Sequence, residues 1–140
     1  VGGSDGGQTL PWTVVSAGQP NVYDLFRTAE GLLEDGMSHA AVELAEAAVR
    51  ASPESASLLE LLGRARYAAR DHMGAVEAFE RLEALEPSNA YAHFGLGRAL
   101  ERIGQLVDAR AHLRLAAALS DRTVYARHLR RVEARIEDAA

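Results

Sequence analysis

From Val22 onward apolar residues recur three and four positions apart, the spacing of one helix face, and the stripe breaks at regular intervals. The pattern is clearest between Ala56 and Asn89. Leu59, Leu62, Gly63 and Tyr67 mark one stripe, and Ala75, Phe79, Leu82 and Leu85 mark a second. The breaks carry turn and capping residues: Asp35-Gly36, Asp71 and Gly104. Ser52-Pro53 and Glu86-Pro87-Ser88-Asn89 close the second stripes, because proline cannot continue a helix and disfavours helical geometry just before it. The chain reads as a series of helix–turn–helix pairs.

Pro53 and Pro87 lie 34 residues apart, and the interval recurs. Ala41, Ala75 and Ala109 align on it, as do Leu62-Gly63 and Leu96-Gly97. Ala45, Phe79 and Leu113 form another column, Ala48, Leu82 and Ala116 a further one, and Gly36 falls opposite Arg70 and Gly104. Three units result, about 22–55, 56–89 and 90–123. Small residues in the shared columns let two helix backbones approach closely. From Thr123 on, Tyr125, Leu129, Val132 and Ile136 share one face, with Arg127, Arg131 and Arg135 on another. A capping helix over about 123–138 is expected, since a stack of repeats needs a polar outer face at its end. Seven helices follow. Residues 1–21 have no helical period and hold Gly2, Gly3, Gly6, Gly7, Gly18, Pro11 and Pro20, which predicts a flexible tail. Leu10, Trp12, Val14 and Val15 form a short apolar segment inside it.

The repeating unit resembles the tetratricopeptide repeat. The second unit carries the pattern through Leu59, Leu62-Gly63, Ala75, Phe79 and Pro87. The first carries it through Leu25, Ala29, Gly36, Ala41, Ala48 and Pro53, and the third through Leu96-Gly97, Gly104, Ala109, Leu113 and Ala116. The third departs from it at Asp121, in the place of the proline, and at His93, in the place of a large residue. The resemblance implies an all-α right-handed superhelical solenoid of three helix–turn–helix units plus the C-terminal capping helix. It also implies a concave groove lined by the first helix of each unit. The groove positions of the family correspond here to Tyr23, Phe26, Glu30, Leu33 and Glu34, then Ser57, Glu60, Arg64, Tyr67 and Ala68. The third unit adds Tyr91, Phe94, Arg98, Glu101 and Arg102, and the cap adds Tyr125 and His128.

What the resemblance implies functionally is a non-catalytic protein–protein interaction module that takes a peptide or partner protein in this groove. Tyr23, Phe26, Tyr67, Tyr91 and Phe94 would supply buried area, and Arg64, Arg98 and Arg102 would pair with acidic groups. The alternative is a structural unit that forms homodimers through its end helices or its N-terminal tail. Chaperone-binding members of the family hold a peptide carboxylate with lysines and asparagines. Phe26, Glu30 and Tyr91 stand at corresponding places here, so that clamp is missing.

Charge sharpens the picture. All 15 basic residues are arginines, against 20 acids, for a net charge of -5. Residues 1–89 carry -8 and residues 90–140 carry +3, so the acidic and basic halves are separate. The pI near 5.5 and the missing lysine argue against a general nucleic-acid binder, and an acidic protein surface suits the basic end better. With no cysteine, a disulfide framework and a thiolate metal site are excluded. His39 with Glu43 and Asp108 with His112 are four apart and read as solvent-facing pairs, while His93 reads as a core or groove residue. Nothing assembles a nucleophile, base and oxyanion donor, so no catalytic residue, cofactor or metal is expected. Intrahelical pairs are expected at Glu46–Arg50, Glu60–Arg64 and Glu77–Arg81. No apolar run is long enough for a membrane helix and no leader pattern opens the chain, which predicts a cytoplasmic protein.

Overall fold

Asn21, Ser55 and Asn89 recur every 34 residues, and each caps the helix that follows it. Asn21 Oδ1 accepts from the Tyr23 N–H at 2.9 Å, Ser55 Oγ from Leu58 at 3.3 Å, and Asn89 Oδ1 from Ala92 at 3.0 Å. These caps open α1 (Val22–Glu34), α3 (Ala56–Ala68) and α5 (Ala90–Arg102) in the computed structural model, which describes residues 21–140. The remaining helices are α2 (Ser38–Ala51), α4 (His72–Leu85), α6 (Leu106–Leu119) and α7 (Thr123–Ala139). The expected tail, with Leu10, Trp12, Val14 and Val15, lies outside the described residues apart from Asn21, which caps α1. No helix among the described residues is long and apolar enough to cross a membrane.

The turn inside each pair is the same motif three times. The N–H groups of Met37, Asp71 and Gln105 reach back to the carbonyls of Leu32, Arg66 and Leu100 at 2.8, 2.8 and 2.9 Å. Those of Gly36, Arg70 and Gly104 bond Leu33, Tyr67 and Glu101, each at 3.0 Å. This double closure needs one left-handed residue. Gly36 and Gly104 supply it at φ 80° and 85°, but in the second unit an arginine takes φ 68°.

Successive helices pack side by side, and α1, α3, α5 and α7 also touch along a second line. The second helices of the units make no comparable contact with one another. The first helices therefore form the inner, shorter row of a curved solenoid. The core between the rows is built of alanine and leucine, with Ala41, Ala45, Ala75, Ala109 and Ala116 fully enclosed. Phe79 is its largest enclosed side chain, and two glycines make room for it. A Cβ on Gly63 of α3, or on Gly95 of α5, would lie 2.6 Å from the Phe79 ring. Gly97 does the same for Leu113, so both glycines of Gly95-Leu96-Gly97 serve packing.

The intrahelical pairs expected from spacing are replaced by pairs between helices. Arg66 spans α2 and α4, bonding Glu46 at 3.3 Å, the Gly74 carbonyl at 3.0 Å, and Glu77. Arg64 faces Glu30 at 3.8 Å, and Arg81 donates to the Pro53 carbonyl at 3.4 Å. Arg64 and Arg66 are long enough to reach the neighbouring helices, and Arg81 reaches the turn between α2 and α3. The capping helix is held the same way. Glu101 on α5, 5% exposed, accepts from Arg131 at 2.6 Å and Arg135 at 2.8 Å, both on α7. Burial pushes the Glu101 carboxyl up, but the two guanidinium hydrogen bonds outweigh it and hold it below the usual carboxylate range.

Three outcomes follow from this packing. Arg70→Gly should raise stability by about 1 kcal/mol in urea unfolding, because it removes the left-handed strain of an exposed side chain. Gly95→Ala should lose about 1–2 kcal/mol despite its better helix propensity, and the loss should shrink when Phe79→Leu is added, as a double-mutant cycle would read. Glu101 is depressed in the folded state, so its contribution is present above the unfolded value of 4.5 and fades as pH falls through the folded one. Glu101→Gln should therefore cost about 1 kcal/mol near neutrality, the partners being half-exposed, and nothing in strong acid.

Candidate interaction surface

The inner row places one residue of each unit at the same height. Glu30, Arg64 and Arg98 are spaced 34 apart on α1, α3 and α5, so they run as a ladder across the concave face. Glu30 and Arg64 pair at 3.8 Å, each about one-third exposed. Arg98 has no such partner among the described residues. Its guanidinium lies 4.2 Å from the centroid of the Tyr67 ring and 4.9 Å from that of Phe94. Its Nε is buried with no hydrogen-bond acceptor among the described residues.

Around Arg98 the aromatic rings form a continuous series. Phe79 meets Tyr91 edge-on at 6.0 Å, Tyr91 meets Phe94 at 6.0 Å, and Phe94 meets Tyr125 at 4.6 Å. His128 of α7 stands edge-on to Phe94 at 5.1 Å. The helical period explains the series: Tyr91 and Phe94 are three apart on α5, the first meeting Phe79 of α4 and the second Tyr125 of α7. Burial raises the Tyr91 hydroxyl above its ordinary value, so the phenol stays a neutral donor. Burial, with nearby arginines adding to it, lowers His128 and also His72, whose ring meets Tyr67 edge-on at 5.1 Å. Glu60 is raised by burial, with Glu30 and Glu86 adding to it and Arg64 opposing.

The sequence-predicted groove residues divide into three groups. Tyr67, Tyr91 and Arg98 converge at the centre, half-buried, with Arg102 exposed beside them. Phe94 is a correction: at 6% exposure it is a packing ring that supports Arg98, with little area left for a partner. Tyr125 and Glu101 are buried likewise, the first against Phe94 and the second by its arginines. Tyr23 and Phe26 stand apart at the N-terminal edge. Tyr23 is 63% exposed and accepts a hydrogen bond from Arg27 at 2.8 Å. With Val22, Phe26, Ser57 and Leu58 it lines a shallow cleft of about 350 Å³.

One histidine reading changes, and His93 takes the core place that was one of its two expected ones. Asp108–His112 is not the pair that forms: His112 lies 3.1 Å from His93, and Glu83 lies 3.7 Å from His93. Burial lowers His112 below its ordinary value. His93 is enclosed, 3% exposed, as a core residue. The contacts join three helices across two units, and no spacing within one helix signals them. Spacing likewise gives no sign of the Glu101 clamp, whose partners lie 30 and 34 residues away.

The comparisons agree with the architecture. The type III secretion chaperone SycD of Yersinia enterocolitica, in complex with a peptide of the translocator YopD, is 17% identical, with a TM-score of 0.75 over 81% of this chain and 93% of that one. The first repeat domain of Spaghetti (RPAP3), bound to the HSP90 peptide SRMEEVD, is 16% identical, with a TM-score of 0.79 over 83% and 93%. MamA from Desulfovibrio magneticus RS-1 is 21% identical, with a TM-score of 0.79 over 84% and 67%. At these identities the likeness is one of fold. No curated protein matches the chain. The family model described as tetratricopeptide repeat matches residues 26–75 and 60–122. With three helix pairs on a 34-residue period and a seventh, C-terminal helix among the described residues, and that match over most of its length, the chain belongs to the tetratricopeptide repeat family.

Proposed function

We infer that the concave face binds an acidic peptide segment of a partner protein, as a non-catalytic interaction module. The observation that carries this reading is Arg98. Its guanidinium is held against Tyr67 and Phe94 with its Nε desolvated and unmatched, so the loss of side-chain freedom has already occurred before a ligand arrives. A carboxylate laid on its free edge gains charge-assisted hydrogen bonds at little further ordering cost. Arg102, exposed and without an ion pair among the described residues, extends the same positive end.

The groove also has a direction. Glu30 and Glu60 lie toward the first unit and Arg98 and Arg102 toward the third, so a bound segment would set its acidic end near α5. Tyr67 and Tyr91, half-buried, supply apolar area beside it. Two relatives in fold were solved with peptides, from YopD and from HSP90, which supports a peptide as the ligand class. The absence of lysine at the family's carboxylate-clamp positions supports side-chain acids as the anchor here, with arginine as the receptor.

Panning a random peptide display library should enrich acidic sequences. Arg98→Gln combined with Arg102→Glu should weaken the selected peptides at least about tenfold, or ~1.4 kcal/mol, in fluorescence polarisation. Helical content should stay unchanged, and rising salt should weaken binding. Enrichment without acidic bias, or unchanged affinity in the double variant, would overturn the reading. The exposed Tyr23 edge and its cleft favour one second reading, pairing of two copies through α1. Solution mass that rises with concentration, and falls for Tyr23→Ser, would establish it.

A further inference from the structure

Where the second and third units meet, Glu83 of α4, His93 of α5 and His112 of α6 converge. One ligand atom from each lies within 4.8 Å of the other two. His93 Nε2 lies 2.8 Å from the Pro87 carbonyl. A carbonyl oxygen has no hydrogen to give, so Nε2 carries a proton, and the tautomer this selects has its lone pair on Nδ1. That lone pair meets His112 Nδ1 at 3.1 Å and Glu83 Oε2 at 3.7 Å, in a site where His93 is 3% exposed.

A hydrogen on His112 Nδ1 satisfies the two rings but leaves the Glu83 carboxylate facing a lone pair with no cation between them. A single divalent ion satisfies all three groups together. In a tetrahedral zinc site with ligands at roughly 2.0–2.1 Å, two ligand atoms stand about 3.3 Å apart. Two of the three separations, 3.1 and 3.7 Å, fall on either side of that value, and the third lies within 4.8 Å. The Pro87 carbonyl is the kind of outer partner that fixes the tautomer of a metal-binding histidine.

We propose that Glu83, His93 and His112 bind one divalent transition-metal ion of the zinc class, joining α4, α5 and α6 across the two units. Two imidazoles and one carboxylate leave a fourth position for water, and Glu83 and His112 are partly exposed, so the ion has a way in. The site is separate from the groove and stands independently of the peptide reading.

The test uses the whole chain without an affinity tag, stripped with chelator and titrated with Zn2+ by calorimetry and with Co2+ by absorption. The expected result is one saturable equivalent, a cobalt spectrum of low coordination number, and a melting temperature raised by zinc. His112→Ala and Glu83→Gln, both at partly exposed positions, should each lower affinity at least about tenfold and reduce the zinc-dependent rise in melting. His39→Ala, at an exposed position elsewhere, should change neither. Absence of saturable binding, or equal binding in wild type and both variants, would overturn the proposal. So would NMR showing that zinc leaves the His93 and His112 rings unchanged, with a proton filling the gap instead.

Discussion

The structure depends on how closely its helix backbones approach. Phe79 can occupy the centre only because Gly63 and Gly95 give it two faces without side chains, one in its own unit and one in the next. A ring gripped by both neighbours fixes the distance and the rotation between units at once. The alanines at 41, 75 and 109 do the same work more simply by keeping each helix pair tight. Interiors at crystal-like density transmit such constraints, so the spacing of the inner row, and with it the placement of Arg98 over Tyr67, follows from where the glycines are.

The sequence carried most of this architecture because a repeat supplies three independent copies of each signal. Asn21, Ser55 and Asn89 mark the same cap, and Gly36, Arg70 and Gly104 the same turn. A misleading residue in one copy, such as Arg70, is outvoted by the other two. Side-chain pairing had no such support. Glu60 and Arg64 are ideally spaced within α3, yet Arg64 turns to Glu30, because a neighbouring helix offers an acceptor that a one-dimensional pattern does not show. The same limit hid Glu101 with its two arginines and the meeting of His93 with His112.

The groove was legible as a set of positions, and much less so as a surface. Periodicity alone cannot tell a ring that lines a face from one that sits beneath it. Phe94 occupies a groove position by count, but α7 covers it with Tyr125 and His128. The effect is to convert apolar contact area into support for a cation. What remains exposed at the centre is more polar than the sequence suggested, with Arg98, Arg102 and two tyrosines, while the freest aromatic, Tyr23, stands at the edge.

The row of first helices, each touching the next in line, also sets the mechanics of the molecule. Contacts along this row resist compression, whereas the outer helices meet only their immediate chain neighbours. Among the described residues no packed helix contact links the first unit to the last, so small rotations at each joint can change the relative angle of the ends. The stiff line of the molecule thus runs along its inside, and its curvature is set joint by joint along that line.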